Sequence, residues 1–406
     1  MLFASAPVLR ADVIGELLAP PTAEELAAYQ AAWLDDEIAA NDVEIELDFM
    51  RNGDRVLVVS HRVGSCRNYA AIRIPPSASD GKMLPVLLQM HGGGNGGDLD
   101  LVFDVEQYLV DDCVRDHLIV VVPAFRGEPL LVPEDMRDEL GFSEWIDASC
   151  PREEKTLHVT DVVDSMSLID VVLDIIPVAD EHRIGVLGKS RGASVAMHTS
   201  IRDRRVRTAI AFFGSADMFM PACESWLREA VAQDKFPDGG ATGSGLYASL
   251  FGYVSGEMTF EEARSNLLRR SSGRFGAHHR RLQCHHGLED KTIWPEHTMA
   301  LEDLMGGYSP ISFEANFYPG VAHNGSATMM VGSAERVSEA LCELAYLPPR
   351  CVGDVDEDGV VNGSDLAVLL GAWGAITQGH PADWNEDGTI DGADLAMALG
   401  FWGGCT

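Results

Sequence analysis

The chain has 406 residues, of which 46% are hydrophobic and 23% charged, so a wholly disordered protein is excluded and a large core plus a smaller second domain is possible. Acidic side chains number 63 against 30 basic ones, and the formal net charge of -33 disfavours binding to nucleic acid or to an anionic membrane surface. The longest apolar runs, such as residues 118–122, are too short to cross a bilayer.

The first residues predict a helical lead-in. Thr22-Ala23-Glu24-Glu25 is a capping box, and the helix that it opens is expected to run to about Ala40. Residues 1–42 are therefore treated as one N-terminal unit. The segment Met1–Ala6 lacks a basic region and has only a short apolar stretch, so it is not typical of a signal peptide.

Extended segments follow in two kinds. Alternating or extended apolar patterns predict antiparallel strands at a sheet edge, at 43–49, 55–59 and 69–74. Continuous apolar runs predict buried parallel strands, at 86–90, 118–122, 184–187 and 209–213, with two more strands at 282–285 and 313–318. Strands that alternate with helices indicate a doubly wound, mostly parallel α/β sheet.

The clearest helix between these strands has five apolar residues spaced four, three, four and three apart, with Thr160 or Asp161 as a plausible cap: Val162, Met166, Ile169, Leu173 and Ile176. A last helix is expected from about Ser333 to Tyr346. Pro348-Pro349 then marks a boundary, so residues 43–347 are predicted to form the catalytic domain.

No strand is predicted between residues 217 and 276, where helical stretches alternate with glycine-rich segments. This insertion is expected to lie over the carboxyl edge of the sheet, as a cap that shapes a substrate pocket. A peripheral decoration is the alternative.

A possible nucleophile lies in Gly188-Lys189-Ser190-Arg191-Gly192, which reads G-x-S-x-G directly after the apolar run 184–187. A buried strand that turns sharply into a helix exposes the turn residue, and small residues on either side let the backbones pass closely. Five residues with three constant positions occur often by chance. Context decides whether Ser190 is a nucleophile at the carboxyl edge of the sheet.

The context supplies an acid and a base after later strands. His286-Gly287-Leu288-Glu289-Asp290 follows one strand and places Asp290 as the acid, and Val321-Ala322-His323 follows the next and places His323 as the base. Glu289 and Asp217 compete with Asp290, and three further histidines compete with His323: His285, His286 and His297. A metal site at His278-His279 or His285-His286 is disfavoured, because no carboxylate or cysteine pattern with metal spacing surrounds these pairs.

The oxyanion donors are predicted in His91-Gly92-Gly93-Gly94, directly after the strand at 86–90. Glycines let the main chain approach a substrate closely, so Gly92, Gly93 and Gly94 can aim an amide at its carbonyl oxygen. The second donor would be the backbone N–H of Arg191. His91 itself is expected to shape the loop.

With these motifs, residues from about 43 to 347 resemble an α/β-hydrolase, nearest to the catalytic domain of the prolyl oligopeptidase and dienelactone hydrolase group. The resemblance rests on Val121–Gly127, on the G-x-S-x-G motif and on Arg269–Ser272 ahead of the acid loop. It implies Ser190, Asp290 and His323 as nucleophile, acid and base, and no cofactor for catalysis. The propeller of prolyl oligopeptidases has no counterpart here, and the His91–Gly94 motif resembles that of esterases and lipases.

The C-terminal segment has a different composition. Between Cys351 and Thr406 there are ten Asp or Glu residues and no Lys or Arg, so residues 351–406 are treated as a separate unit. Cys351 and Cys405 bracket this segment and suggest a closing disulfide in an oxidising compartment. For the other six cysteines, buried free thiols are at least as plausible: Cys66, Cys113, Cys150, Cys223, Cys284 and Cys342.

The acidic segment contains two copies of a loop plus a helix. Residues 354–365 and 383–394 both place carboxylate or amide oxygens at loop positions one, three, five and nine, with Gly at position six, as a twelve-residue calcium loop requires. Each loop precedes a parallel apolar sequence, at 366–374 and 395–403. Without calcium the clustered carboxylates would repel one another, so folding and binding should be coupled.

An Asp at position twelve and the missing entering helix make residues 351–406 similar to a type I dockerin, which docks polysaccharide-degrading enzymes onto cohesins. The resemblance implies two structural Ca²⁺ ions and a possible cohesin partner; a calcium-stapled tail without that partner is the alternative. The implied ligands are Asp354, Asp356, Asp358, Val360, Asn362 and Asp365 in the first loop, and Asp383, Asn385, Asp387, Thr389, Asp391 and Asp394 in the second. Val360 and Thr389 would act through their carbonyls.

Together the motifs predict a secreted or surface serine hydrolase that forms an acyl-enzyme, cleaves carboxylic esters and carries a calcium-binding tail. The esterase-like glycine motif beside a module of polysaccharide degradation points to acylated polysaccharides. Two alternatives stay open. One is the same chemistry on a peptide bond, and the other is an idle hydrolase scaffold with a role in adhesion or assembly.

Overall fold

The structure is a computed structural model. It describes residues 12–405 except 37, 94–95, 105–111, 141–144, 147–149, 151–158, 234–237, 308–310, 324–326, 375–379 and 386. Its strands are β1 (Asn41–Arg51), β2 (Asp54–Val63), β3 (Cys66–Ile74), β4 (Leu84–Met90), β5 (Gly97–Asp98), β6 (Ile119–Pro123), β7 (Leu130–Leu131), β8 (Trp145–Ile146), β9 (Ala179–Lys189), β10 (Val206–Phe212), β11 (Arg281–Gly287), β12 (Ser312–Tyr318), β13 (Val360–Val361) and β14 (Gly403–Gly404).

The α-helices are α1 (Val13–Leu18), α2 (Ala23–Ala31), α3 (Leu101–Asp104), α4 (Asp112–Arg115), α5 (Glu134–Leu140), α6 (Val159–Ile175), α7 (Arg191–Arg202), α8 (Pro221–Ala232), α9 (Gly240–Ser255), α10 (Phe260–Leu268), α11 (Glu296–Met305), α12 (Ala327–Tyr346), α13 (Gly363–Gly371) and α14 (Gly392–Gly400). Short 3-10 segments span Ala32–Asp35, Pro76–Asp80 and Ser272–His278.

The central sheet has nine strands in the order β1-β2-β3-β6-β4-β9-β10-β11-β12. Pairing is antiparallel from β1 through β3 to β6, and parallel from β6 to β12. Asn52 and Gly53 turn the β1–β2 hairpin with positive φ at both residues, as a two-residue type I′ turn requires. The predicted mostly parallel sheet with an antiparallel edge is confirmed.

Helices cover both faces of this sheet. On one face Val172 of α6 and Val195 of α7 share a buried cluster with Leu88 of β4. On the other face Leu341 of α12 packs in a cluster with Leu87, the neighbouring residue of the same strand. Because successive residues of a strand point to opposite faces, a strand buried on both sides reads as one continuous apolar run.

The first predicted helix is shorter than expected. Helix α2 ends at Ala31 and continues as a 3-10 turn to Asp35, so the expected end near Ala40 is wrong. Asp36 has extended backbone, and its carboxylate lies 2.6 Å from the guanidinium of Arg202. This tertiary contact holds the chain outside a helical path.

Two other helix boundaries also differ from prediction. Helix α6 begins at Val159, so Thr160 and Asp161 lie in its first turn rather than at its cap, and Asp161 pairs with Arg191 instead. Helix α12 begins at Ala327, earlier than the predicted residue 333, and its first turn includes the fully buried Met329.

The insertion at 217–276 forms helices that pack on the N-terminal lead-in. Leu17 of α1 shares a buried cluster with Leu227 of α8, Leu250 of α9 and Leu267 of α10. The start of α9 also contacts the loop after β11, where the Thr242 N–H donates to the carbonyl of Thr292 (3.2 Å). The insertion thus lies beside the loop that carries Asp290, and its role as a cap stays a prediction.

The acidic segment folds as the repeat predicts, with α13 and α14 each preceded by a loop. Val355, Leu369, Ile390 and Ala398 form its small buried core. Strands β13 and β14 pair antiparallel next to a Cys351–Cys405 disulfide, which confirms the predicted closing bond.

Four of the remaining six cysteines are paired, in Cys66–Cys150 and Cys113–Cys342 disulfides, so the expectation of free thiols is wrong for them. The fold brings their Cα atoms to 5.5 and 5.7 Å, a separation that a disulfide spans. Cys223 and Cys284 are buried free thiols, as expected. Among the described residues, no helix combines the length and apolar character needed to cross a membrane.

Candidate active site and calcium loops

Ser190 occupies the sharp turn between β9 and α7. Its φ of 57° and ψ of -118° are strained for a residue with a side chain, and its N–H donates to the Phe212 carbonyl (2.9 Å). A Cβ on Gly188 would lie 2.1 Å from the Gly192 carbonyl oxygen, and a Cβ on Gly192 would lie 2.3 Å from that of Met90. Both glycines are therefore needed for the close passage of strand and helix that presents Ser190.

Three side chains form a hydrogen-bonded chain beyond the carboxyl ends of β9, β11 and β12. Ser190 Oγ lies 2.8 Å from Nε2 of His323, and Nδ1 of His323 lies 2.8 Å from Oδ2 of Asp290. The imidazole also packs against Phe213, with ring centroids 4.8 Å apart. The structure thus brings together the three residues predicted as nucleophile, base and acid, in the order of contacts that such a triad uses.

Asp290 is held as a carboxylate by several donors. Its Oδ1 accepts the backbone N–H groups of Thr292 (2.8 Å) and Ile293 (3.0 Å), and its Oδ2 lies 3.4 Å from Nε2 of His286. Burial alone would raise its pKa, but hydrogen bonds from His286 and His323 outweigh burial and lower the pKa of Asp290 to about 2. The ionised acid can therefore orient the Nδ1–H of His323.

The two competing acids lie elsewhere. The Glu289 side chain is exposed, although it is the neighbour of Asp290. Asp217 is buried, and its carboxylate lies 2.6 Å from the guanidinium of Arg274. Asp217 is therefore neutralised by an arginine, and Glu289 faces solvent.

The competing histidines are buried and make other contacts. His285 lies 2.7 Å from the Tyr318 hydroxyl, His286 lies 2.7 Å from the Thr298 hydroxyl, and His297 lies 3.0 Å from the Thr242 hydroxyl. Of the two pairs considered as metal sites, His285-His286 makes the contacts just given, and the other pair contacts Gln30 from His278 (2.7 Å) and Ser200 from His279 (3.1 Å).

The glycine loop reaches the nucleophile. A Cβ on Gly92 would lie 3.6 Å from that of Ser190, whereas Gly93 has open space around it. Gly94 lies outside the described residues. Arg191 is the first residue of α7, so its N–H belongs to the first turn, where N–H groups have no intrahelical partner and the helix dipole favours negative charge. These groups remain the predicted oxyanion donors.

The side chain of Arg191 belongs to a buried ionic network for which the sequence predicted no role. Its guanidinium lies 2.5 Å from Glu128 and 2.6 Å from Asp161, and 4.7 Å from the ring centroid of Phe125. The network ties the first turn of α7 to α6 and to the loop after β6. The one sequence feature that pointed to this network is Glu128, an acidic residue that follows the buried strand β6 and the turn at Arg126-Gly127.

The network extends to the glycine loop through His91. The His91 ring packs against Phe125 with centroids 4.2 Å apart, and its Nε2 lies 3.7 Å from Glu128 Oε2. Its Nδ1 lies 2.7 Å from the carbonyl oxygen of Gly92. His91 is buried, so it contacts the interior of the loop that it was expected to shape.

The first acidic loop gathers carboxylates. Oxygens of Asp354, Asp356 and Asp358 lie within 4.8 Å of one another, and Asp354 Oδ2 accepts the N–H of Gly359 (3.0 Å). Burial, with repulsion from the neighbouring carboxylates, raises the pKa of Asp354 and Asp356. Clustered hard oxygen ligands of this kind fit Ca²⁺.

Asp residues at position twelve organise both loops in the same way. Asp365 accepts the N–H groups of Val355 (2.6 Å) and Asn362 (2.8 Å). In the second loop Asp394 accepts those of Trp384 (2.7 Å) and Asp391 (2.9 Å). The other predicted ligands fall within these two similarly folded loops: Val360, Asp383, Asn385, Asp387 and Thr389.

Comparison with known families and structures places both parts of the chain. The type I dockerin domain model matches residues 352–398. No curated protein matches the sequence. Two solved structures are similar over most of their own length. Acetyl xylan esterase 1 from Thermoanaerobacterium sp. JW/SL YS485 is 16% identical, with a TM-score of 0.58, and the match covers 81% of this chain and 98% of that one. The acetyl xylan esterase from Paenibacillus sp. R4 is 14% identical, with a TM-score of 0.54, and the match covers 79% of this chain and 96% of that one.

A third structure, the acylaminoacyl peptidase from Pyrococcus horikoshii, matches 74% of this chain and 49% of its own at 14% identity and a TM-score of 0.45. At such identities the esterase likeness shows the fold and leaves the substrate undecided. The sequence predictions of an α/β-hydrolase fold and a dockerin tail are confirmed. The chain is an α/β-hydrolase-fold protein that carries a type I dockerin domain at residues 352–398.

Proposed function

We propose that this protein is a serine hydrolase that cleaves carboxylic esters through an acyl-enzyme. The observation that supports it most is the hydrogen-bonded chain from Ser190 through His323 to Asp290, built on a strained turn. Nucleophilic catalysis by serine needs a base within hydrogen-bonding distance and a third group that orients the base. Both requirements are met without rearrangement.

Acylation would begin when His323 Nε2 takes the proton of Ser190 Oγ as that oxygen attacks the ester carbonyl carbon. The C–O bond of the leaving alcohol then breaks, and His323 returns the proton to the alcohol. Asp290 keeps the Nδ1–H tautomer of His323 and stabilises the imidazolium. Hydrogen bonds from the backbone N–H of Arg191 and from a backbone N–H of the loop at Gly92 and Gly93 would stabilise the negative charge on the carbonyl oxygen.

Deacylation would repeat the same transfers with water as the nucleophile. His323 takes a proton from water, the hydroxyl adds to the acyl carbon, and the bond to Ser190 Oγ breaks with return of the proton to the serine. The products are a carboxylic acid and the regenerated enzyme. The chain's own residues account for every proton transfer in this scheme.

We infer that the substrate is an acylated polysaccharide. Two of the similar structures are acetyl xylan esterases, and a type I dockerin is a module of polysaccharide-degrading enzymes. The three disulfides support secretion into an oxidising environment.

The decisive test compares short-chain aryl esters with matched peptidyl arylamides at saturating calcium. We expect the esters, and then acetylated xylan, to be hydrolysed at least about 10²-fold faster than the amides, because an ester oxygen leaves the acyl carbon more readily than an amide nitrogen. Turnover confined to the amides would replace the ester proposal with a peptidase.

The tail is proposed to bind two Ca²⁺ ions and a cohesin-like protein, as type I dockerins generally do. Matched apolar side chains of the two repeats are about half exposed, at 52% for Leu370 and Leu399, 48% for Trp373 and 54% for Trp402. Exposed aromatic and aliphatic side chains of this kind commonly mark a protein contact. Failure of cohesins to bind would leave the tail as a calcium-stabilised appendage.

Calcium stoichiometry gives a direct check on the two loops. We expect titration calorimetry of the full chain to give two bound Ca²⁺ ions, and Asp354→Ala and Asp383→Ala to bind one each, because position one contributes a ligand to its own loop. The exposed Asp42, far from the tail in sequence, provides the control Asp42→Ala, which should keep both sites. Binding of two Ca²⁺ ions by either Asp354→Ala or Asp383→Ala would contradict the ligand assignment.

The Arg191 network gives a prediction about the oxyanion site. Glu128→Gln removes a charged partner of Arg191, so the first turn of α7 and the glycine loop should lose alignment, and we expect kcat for aryl esters to fall by about 10- to 100-fold. KM should change far less. Glu134→Gln, at an exposed position of α5, is the matched control. An unchanged kcat in Glu128→Gln would show that the network does not position the donors.

A further inference from the structure

A cluster of arginines lies between the hydrolase part (residues 43–347) and the dockerin. It consists of Arg204, Arg207, Arg280, Arg281 and Arg350, which we call the arginine cluster. Four of these residues lie at or just before the first residues of the parallel strands β10 and β11, whereas Ser190 lies beyond the opposite, carboxyl ends. In a chain with a net charge of -33, this is a local concentration of positive charge that faces the acidic tail.

Glu357 of the first calcium loop inserts into the arginine cluster. It is 4% exposed, its Oε2 accepts the Nε–H of Arg207 (2.9 Å), and its two oxygens also accept hydrogen bonds from Arg280 and Arg281. Glu357 occupies loop position four, which the calcium-loop pattern does not use for a ligand. Its φ of 60° is unusual for a residue with a side chain. The side chain therefore serves the contact between the two parts of the chain.

A second contact involves the other calcium loop. Arg204 donates to the backbone carbonyls of His380 (2.7 Å) and Asp383 (2.6 Å), and its guanidinium lies 6.0 Å from the ring centroid of Trp384. Asp383 is position one of the second loop. Both loops are thus anchored to the hydrolase part.

The connection between the two parts is also held in place. Arg207 donates to the carbonyl of Pro348 (2.5 Å), and Arg350 donates to the carbonyl of Arg204 (2.6 Å). The segment that joins the hydrolase part to the dockerin is therefore hydrogen-bonded to the surface over which it passes. It differs from a flexible linker, whose backbone would be solvated.

The geometry couples calcium to this contact. Glu357 lies between Asp356 and Asp358, two proposed ligands, so the backbone conformation that gathers the ligands also directs the Glu357 side chain into the arginine cluster. Buried guanidinium groups without their carboxylate are strongly unfavourable, because desolvated charge is then uncompensated. Ordering of the loop and burial of the arginines should therefore occur together.

We propose that calcium binding by the first loop and docking of the dockerin on the hydrolase part form one coupled equilibrium, joined through Glu357 and the arginine cluster. Calcium then stabilises the end of the sheet opposite Ser190, and docking raises the affinity of the first loop for calcium by the same factor. The inference rests on the calcium binding proposed above.

Hydrogen exchange of the full chain, with and without calcium, tests the coupling. In the wild type we expect calcium to slow exchange in the tail helices and also in residues 204–208 and 280–282, by about 5- to 150-fold, the usual range for coupled sites. In Glu357→Gln the tail helices should still respond to calcium, because the ligands remain, while the response at 204–208 and 280–282 is lost.

Two further variants separate the coupling from local damage. Glu343→Gln removes a carboxylate that lies 3.0 Å from Arg281 but belongs to α12, so it should keep the wild-type response. Arg280→Gln leaves every residue of the loop intact and removes a Glu357 contact from the hydrolase side. It should weaken the calcium response at 204–208 even if Glu357→Gln fails to fold its loop.

The outcomes distinguish this inference from the calcium proposal. A wild type in which calcium changes neither the tail nor the hydrolase part would contradict calcium binding itself. A response of the tail helices without any response at 204–208 and 280–282 would overturn the coupling alone. Retention of the full wild-type response by both Glu357→Gln and Arg280→Gln would also overturn it.

Discussion

Ser190→Ala is expected to lower kcat for ester hydrolysis by about 10⁴- to 10⁶-fold, the loss seen when a serine nucleophile is removed from a triad. The residual rate would come from the oxyanion donors and from substrate binding. Because alanine is smaller than serine and the turn is held by backbone contacts and by Gly188 and Gly192, the fold should be kept. Steady-state kinetics with an aryl ester measures the loss, and circular dichroism checks the fold.

Labelling by a fluorophosphonate gives an independent readout, since this reagent forms a covalent bond to an activated serine. We expect one label per wild-type chain and none on Ser190→Ala, whereas Ser364→Ala, an exposed serine of the tail, should label normally. Activity of Ser190→Ala within tenfold of the wild type would place the nucleophile elsewhere. A wild type that neither reacts nor hydrolyses would favour the scaffold alternative.

Asp290→Asn is expected to lower kcat by about 10⁴-fold, as when the orienting acid of a triad becomes an amide. Asn can still accept the N–H groups of Thr292 and Ile293 through its oxygen, so the loop should keep its shape. Its amide nitrogen cannot accept the Nδ1–H of His323, however. The imidazole is then driven to the tautomer that carries its proton on Nε2, where it cannot act as a base toward Ser190.

The matched control for this prediction is Glu289→Gln, because Glu289 is the adjacent residue and its side chain is exposed. We expect its kcat to stay within about twofold of the wild type, as for a surface substitution. A large loss in Glu289→Gln with little loss in Asp290→Asn would reverse the assignment of the acid. The pH dependence of kcat should show no protonation of Asp290 above about pH 3, since its pKa is about 2.

Much of the fold was predictable because its signals are local. Continuous apolar runs mark the buried parallel strands, and β4 shows why, since Leu87 and Leu88 pack on opposite faces of the sheet. The G-x-S-x-G motif predicted a tight turn because Gly188 and Gly192 meet backbone at distances that no Cβ tolerates. Sequence patterns failed beyond Ala31, where α2 gives way to a 3-10 turn and Asp36, in extended backbone, pairs with the distant Arg202.

The candidate site was predictable in part. Each of Ser190, Asp290 and His323 follows its own strand, and the carboxyl ends of parallel strands share one edge of a sheet, so order along the chain was enough to expect them together. The pairing of Glu128 and Asp161 with Arg191 was not predicted, because Arg191 is distant in sequence from both. The local sequence around a charged side chain does not show which distant residue will pair with it in the interior.

The sequence by itself indicated the α/β sheet, the three candidate catalytic residues, the two predicted calcium loops and the Cys351–Cys405 disulfide, because each follows from a local motif, from strand order or from the two cysteines that bracket the acidic segment. The tertiary structure alone decided the Cys66–Cys150 and Cys113–Cys342 pairs, the Arg191 network and the insertion of Glu357 among arginines. These contacts join segments 30 to 229 residues apart, and which distant side chains meet depends on how the elements pack.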